Sequence, residues 1–346
     1  MLSASRTPAA GRRHRGSTFR PALAVGVAAL LVSCLPTASA HPTAAGGSPA
    51  PADADSRIYV TNQQDDTVSV IDAHTHKVVA TVPAGTAPEG VAVAKDGRRL
   101  YVADSGSARV SVLDTRTYKT VATVPVGKSP SGVALSPDGG ALYVTNGTSN
   151  TVSVIDTHDR RVLATIPVGR SPVNVAFSGD GAQAYVANAG SGSLSVVDTR
   201  TRRVVRQIAA GRSPVAVAVT KDGKAAYVAD EVGTRVLAIA TDSGKATAVN
   251  VGTGPFDVAI GPDGRYAYSA DLGPGNVSVI DTGSKHVSAT IALGPPGTDP
   301  FNLEVTHHAI YVTNQGAGTL TVIDSASLKV ISTVAVGAQP YGVAVN

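Results

Sequence analysis

The amino-acid sequence predicts an all-β fold in which seven similar four-stranded units close into a ring. A tyrosine recurs at a nearly constant interval, and each interval holds four short β-favouring runs separated by turn residues. The last run of the chain also supplies a strand that the first unit lacks. Aligned on that residue, Tyr59, Tyr101, Tyr143, Tyr185, Tyr227, Tyr268 and Tyr311 lie 42, 42, 42, 42, 41 and 43 residues apart. A fixed period of this length marks a repeat architecture, in which each unit buries its apolar face only against its neighbours. The unit around Tyr143 reads Gly132–Leu135, then Ser136-Pro137-Asp138-Gly139, Ala141–Asn146, Thr151–Asp156 and Arg161–Gly169. Runs rich in Val, Ile, Thr and Tyr, punctuated by Asp-Gly and Gly-x-x-Pro, are strands joined by tight turns. Four such strands per unit and seven units describe a seven-bladed β-propeller of antiparallel blades over residues 56–346.

The elements follow in chain order. Arg12, Arg13, Arg15 and Arg20 precede an apolar run, Pro21–Cys34, that ends in Ala38-Ser39-Ala40. A basic region, a hydrophobic stretch and a small-x-small end predict a secretory signal over residues 1–40, too short to span a bilayer as a helix. The alternative is a lipoprotein signal over residues 1–33: Leu31-Val32-Ser33-Cys34 resembles a lipobox whose cysteine is lipidated, and Cys34 is the sole cysteine. The mature chain is thus expected to be secreted, or held by a lipid at the outer face of the membrane. Without a second cysteine it has no disulfide, so its core must suffice. Residues 41–55, rich in Pro, Ala, Gly and Asp, read as a flexible linker.

Removing residues 1–40 takes five arginines and no acid, leaving 24 basic against 25 acidic residues. No net cationic field remains for nucleic acid, which is not an expected partner.

Within the repeat, the innermost strand alternates small and branched residues, as in Gly90-Val91-Ala92-Val93 and Ala216-Val217-Ala218-Val219. Blades converge on the axis, so little room is left there. The outermost strand carries Lys77, Lys119, Arg161, Arg203, Lys245, Lys285 and Lys329 near its start and Pro83, Pro125 or Pro167 near its end. Charge and proline on an open edge discourage pairing with another chain. The first unit begins at its second strand and the chain ends on an inner strand, so Gly342–Val345 is expected to complete the blade that Tyr59 begins.

Tyr-Val-Thr-Asn at 59–62, 143–146 and 311–314, together with Ser-Val-Ile-Asp, Ser-Pro-Asp-Gly and Gly-x-x-Pro at this period, resembles the YVTN family of β-propeller repeats. The resemblance covers residues 56–346 and implies a propeller of a bacterial or archaeal surface or periplasmic protein. Related propellers include binding modules and enzymes, so function has to be argued from the site. The chain has no tryptophan, and WD-repeat and tryptophan-docked quinoprotein propellers fit it less well.

Two repeated sets, one of seven residues and one of six, invite a functional reading. Asn62, Asp104, Asn146, Asn188, Asp230, Asp271 and Asn314 end the motif, and Asp72, Asp114, Asp156, Asp198, Asp281 and Asp324 end the third strand. A device repeated from unit to unit belongs to the scaffold, and both sets are expected to cap turns by bonding nearby backbone.

Departures from the repeat are the better candidates. Four residues after the inner-strand proline stands alanine in six units (Ala92, Ala134, Ala176, Ala218, Ala259, Ala344), and Glu304 in the seventh. A carboxylate at a crowded apolar position needs a compensating environment. That unit also has a longer loop, Gly294–Pro300, and His307-His308 in place of Asp-Gly. Immediately after the proline stand Glu89, Ser131, Val173, Val215, Phe256, Phe301 and Tyr341, followed by Gly90, Gly132, Asn174, Ala216, Asp257, Asn302 and Gly342. These positions surround one mouth of the central channel. Phe256, Asp257, Phe301, Asn302, Tyr341, Glu89 and Asn174 are the predicted ligand-binding residues, suited to a protein, peptide or carbohydrate. The competing expectation is a hydrophobic plug over the channel.

The histidines show no ligand spacing, so neither metal nor cofactor is predicted. With no nucleophile and base in evident partnership, the leading expectation is a monomeric binding or interaction scaffold at the cell envelope or outside the cell. The alternative is a propeller enzyme, a lactonase-like hydrolase or lyase with Glu304 as acid or base.

Overall fold

A computed structural model describes residues 56–346. The expected signal, lipobox cysteine and linker lie outside the described residues. Seven four-stranded antiparallel sheets account for them, with no α-helix among the described residues. Blade 1 comprises an inner strand, Pro340–Val345, and then Arg57–Asn62, Thr67–Asp72 and Lys77–Pro83. Blades 2 to 7 follow in sequence order, with inner strands Pro88–Val93, Pro130–Leu135, Pro172–Phe177, Pro214–Val219, Pro255–Ile260 and Pro300–Val305.

The ring closes as the sequence predicts. Ile58 pairs with Val345, Tyr59 with Ala344 and Val60 with Val343, so the two ends of the propeller share one sheet. Beyond the ladder, Gly337 N donates to Asn62 Oδ1 at 3.0 Å and Ala338 N to Asp65 Oδ2 at 2.7 Å.

The core consists of seven apolar clusters, each lying between successive blades. This arrangement explains the four motif letters one at a time. The tyrosine packs on the following blade: Tyr59 sits among Val91, Leu100 and Val102, and is 1% exposed. The next residue faces the opposite way because side chains alternate along a strand, and Val60 packs with Tyr311, Leu320 and Val322 of the preceding blade.

The threonine ties inner strands together. Thr61 Oγ1 accepts from Gly342 N at 2.8 Å and donates to Glu89 O of blade 2 at 2.5 Å. Thr145 does the same between Gly132 N and Val173 O, and Thr313 between Asn302 N and Tyr341 O. Two of these units have glycine beside the bond because the neighbouring blade comes so close. A Cβ on Gly132 would fall 2.4 Å from Val173 O, and one on Gly342 2.7 Å from Glu89 O.

The fourth letter differs from expectation. Asn62, Asn146 and Asn314 end the second strand, paired with Thr67, Thr151 and Thr319, and are not turn residues. Their amides bond across to the third strand, as in Asn62 Nδ2 to Thr67 Oγ1 and Ser69 Oγ at 2.9 and 3.0 Å. Asp104 and Asp271 take a serine hydroxyl from that strand and the incoming loop's Gly85 N or Gly252 N. The whole set is at most 1% exposed, so it offers nothing to a ligand. Buried polar groups seek partners, and the amide nitrogens find them across the sheet, whereas Oδ1 of Asn146, Asn188 and Asn314 has no partner among the described residues.

The second aspartate set behaves as expected. Asp72 Oδ1 accepts from His74 N and Thr75 N at 3.1 and 2.8 Å, and Asp114, Asp156 and Asp324 cap their turns alike. Between inner and second strands, the Asp-Gly turn requires positive φ, which Gly97, Gly139, Gly181, Gly223 and Gly264 adopt at 68 to 76°.

Candidate functional site

The loops from each outer strand to the next inner strand ring one mouth of the channel, and the residue after each inner-strand proline faces its neighbours around that rim. In blades 6, 7 and 1 these residues are aromatic. Phe256 and Phe301 stack with ring centroids 3.7 Å apart and planes 26° from parallel. Phe301 meets Tyr341 edge-on at 4.7 Å and 65°. Aromatic pairs in such arrangements gain about 0.5–1.5 kcal/mol beyond area burial. Phe301 is the buried centre of the row, at 8% exposure, with Phe256 and Tyr341 half-buried on either side.

Tyr341 continues past blade 2 to blade 3, where its Oη lies 3.2 Å from Ser131 Oγ. Ser131 carries no signal for this bond in the sequence, because only the closed ring brings positions 131 and 341 together. Burial, and then the nearby Glu89 carboxylate, push the Tyr341 hydroxyl well above its ordinary pKa, so it stays neutral.

Behind the aromatic row lies an axial cavity of about 180 Å³, lined by Phe256, Asp257, Asn174, Asn302, Glu304 and Tyr341 together with small and branched inner-strand residues. Of the twenty lining residues, Ser131, Asn174, Asp257, Asn302, Glu304 and Tyr341 carry polar side chains, and the rest are apolar or glycine. Glu304 is half-buried and reaches the cavity, which the alanines at its position do not. The longer side chain reaches past the strand packing into the axial space.

Asp257 is 6% exposed. Its Oδ1 accepts from Val258 N and its Oδ2 from Leu303 N of blade 7, both at 2.8 Å. Asn174 makes the corresponding link, accepting from Val217 N of blade 5 at 3.3 Å. Where the second strand has Ala187 or Ala270 instead of the motif threonine, this side chain thus joins adjacent inner strands. Burial drives the Asp257 carboxyl up to about 7 despite the two backbone N–H bonds. Burial, and next the charge of Asp257, drive Glu304 to about 7 as well. Two carboxyls that oppose each other's ionisation titrate as a pair.

The structure therefore brings together Phe256, Asp257, Phe301, Asn302, Glu304 and Tyr341, with Asn174 across the cavity. Glu89 stands apart on the rim, accepting from Gln63 Nε2 at 3.0 Å, and does not line the cavity. The loop Gly294–Pro300 enters this face beside Phe301, whereas His307 and His308 lie in the turn before Ala309–Asn314, at the opposite end of the blade. Among the described residues, no group of three or more His, Cys, Asp or Glu is placed to hold a metal ion. No helix among them is long and apolar enough to cross a membrane.

A closed seven-bladed ring with a polar axial cavity defines the class: a β-propeller with one individualised channel mouth. The family model described as a YNCE-like beta-propeller matches residues 32–141 and 135–226, and the chain belongs to that family. No curated protein matches it in sequence. Among solved structures, Kuenenia stuttgartiensis hydrazine synthase is similar at 24% identity and a TM-score of 0.67, over 74% of this chain and 89% of that one. A functionally unknown protein from Desulfotomaculum acetoxidans DSM 771 is similar at 18% identity and a TM-score of 0.70, over 84% and 98%. Dihydro-heme d1 dehydrogenase NirN, in complex with DHE, is similar at 16% identity and 0.64, over 83% and 74%. At these identities the likeness is one of fold.

Proposed function

We propose that the protein is an exported binding module, acting at the cell envelope or outside the cell, whose ligand enters the channel past Phe256, Phe301 and Tyr341. One observation carries this reading. Six inner strands place alanine where Glu304 stands, and departures in size and charge collect on adjoining blades 6, 7 and 1 at a single mouth. Scaffold needs act equally on every blade, so a local cluster of exceptions answers to something outside the scaffold. The cavity is smaller than the about 300–1,000 Å³ of sites that engulf a whole drug-sized ligand. A protein, peptide or carbohydrate partner would therefore place one small group inside and rest the remainder on the aromatic rim. Export is supported by the basic, apolar and Ala-Ser-Ala order of residues 1–40.

Native mass spectrometry of the protein purified from its own host tests both parts. A non-covalent adduct carried by the wild type and lost from Phe256→Ala/Phe301→Ala, with the circular dichroism spectrum retained, is the expected result. An adduct equally occupied in the variant refutes the mouth. A mature chain beginning at His41 or at a lipidated Cys34 agrees with export, and an intact Met1 terminus contradicts it.

The second reading is acid–base chemistry at Glu304, in a lactonase-like hydrolase or lyase. It draws on a carboxyl lifted to about 7, in the range suited to proton transfer at neutral pH. Turnover surviving Glu304→Gln would remove it.

A further inference from the structure

We infer that the axial cavity receives an alkylammonium group, such as a lysine side chain or a small organic amine, with Asp257 and Glu304 opposing its charge and Phe256 and Tyr341 walling its approach. The inference rests on the mouth being the binding face and specifies the chemistry of what enters it.

Three independent features agree. The first is that the fold does not require the charge on Asp257. Asn174 holds the same place in blade 4 and makes the same inter-blade bond with a neutral side chain. The second is Glu304, whose carboxylate accepts no hydrogen bond from any described residue although burial dominates its titration. A carboxylate that faces the cavity with no protein donor leaves its charge to cavity water, and a cation supplied from outside would oppose that charge directly. The third is the wall itself. Aromatic faces attract ammonium groups through the ring quadrupole, and Phe256 and Tyr341 line the same cavity as the two acids.

Among the described residues no lysine, arginine or histidine lines the cavity, so none of them already fills this role. A divalent metal suits the site less well, because Asp257 already spends a lone pair of each oxygen on Val258 N and Leu303 N and, among the described residues, no third acidic or histidine ligand joins the pair. About 180 Å³ accommodates an ammonium head and a few methylenes.

The charge environment sets the pH behaviour. The ionisable groups around the cavity are Asp257 on blade 6, Glu304 on blade 7 and Tyr341 on blade 1, with Glu89 of blade 2 behind the tyrosine. Below about pH 6 the acids keep their protons and the ammonium meets a neutral wall. As pH rises through about 7 the pair ionises and affinity increases.

Isothermal titration calorimetry on the full-length chain tests the inference with n-butylammonium chloride, its neutral isostere n-butanol, and calcium chloride. At about pH 8, butylammonium should bind at least roughly tenfold more tightly than butanol, and Glu304→Gln should lose roughly tenfold or more of that affinity. Moving to about pH 5 should weaken butylammonium binding to a similar degree. No heat with butylammonium, equal affinity for butanol, calcium bound in preference, or an unaffected Glu304→Gln variant overturns the ammonium assignment. The two readings fail separately. If butanol binds as tightly and Phe256→Ala/Phe301→Ala abolishes both ligands, the mouth stands and the amine falls. If butylammonium binding depends on Glu304 yet ignores both phenylalanines, the amine stands and the mouth falls.

Discussion

Glu304→Gln isolates the cost of the axial carboxyl, because glutamine keeps the shape and Glu304 gives up no hydrogen bond to a described residue. The carboxyl titrates near 4.5 in the unfolded chain and at about 7 in the folded one. The folded state therefore binds the proton more tightly. Its contribution to stability is fully present below about pH 4.5 and is lost as pH rises through about 7. At about 1.4 kcal/mol per pH unit the interval is worth about 3 kcal/mol, an upper figure since cavity water screens the charge and Asp257 shares the proton. A chain of this size shifts its melting temperature by about 2 °C per kcal/mol, so about 4–6 °C is at stake. Differential scanning calorimetry of wild type and Glu304→Gln between about pH 5 and pH 8 reads it directly. The wild type should lose stability across that range more steeply than the variant, which becomes the more stable protein at the alkaline end. Parallel curves would show that Glu304 is already ionised and hydrated near its ordinary pKa, and would refute the desolvation argument.

Two further outcomes follow from the packing. Thr145→Ala leaves the Gly132 N–H without its acceptor in a buried joint between blades 3 and 4, and should cost about 1–3 kcal/mol in a urea melt. Thr145→Ser keeps the hydroxyl and should recover most of the loss. Removing residues 337–346 deletes the inner strand of blade 1 and both closing bonds to Asn62 and Asp65. The remaining chain should lose its cooperative thermal transition, and an unchanged melting curve would mean that the ring does not depend on that seam.

The architecture was legible because a propeller writes itself repeatedly: seven tyrosines, seven proline-led inner strands and a displaced last strand have no other simple solution. The roles of individual letters were less legible. Thr61, Thr145 and Thr313 look like ordinary strand threonines, and only the distance from Thr61 to Glu89 O, on the next blade, exposes them as ties between blades. Asn62 and its equivalents carry the signature of turn formers, yet the serine seven residues later draws their amides into the sheet. Glu304 was identifiable as an exception, but its surroundings were not, because nothing local to residue 304 says that residue 257 contributes a second acid. The bond from Ser131 to Tyr341 spans 210 positions and skips a blade, a relation that repeat periodicity cannot encode.

The position of Tyr341 joins the two halves of this account. It lies on the strand that closes the ring, one residue before the glycine that Thr61 holds, and it also forms one end of the aromatic row. Thr313 donates to its carbonyl from blade 7, and Ser131 meets its hydroxyl from blade 3, so side-chain bonds from both sides fix it only when the circle is complete. On the proposed reading, a ligand resting against Tyr341 binds the closed ring and not an opened one. Such a ligand at about a hundred times its dissociation constant adds about 2.7 kcal/mol to the closed state. That is comparable to the cost of one inter-blade tie. Occupancy of the mouth would then be expected to slow amide exchange in Pro340–Val345 and Arg57–Asn62, the two strands of the seam, more than in the remote blade 4.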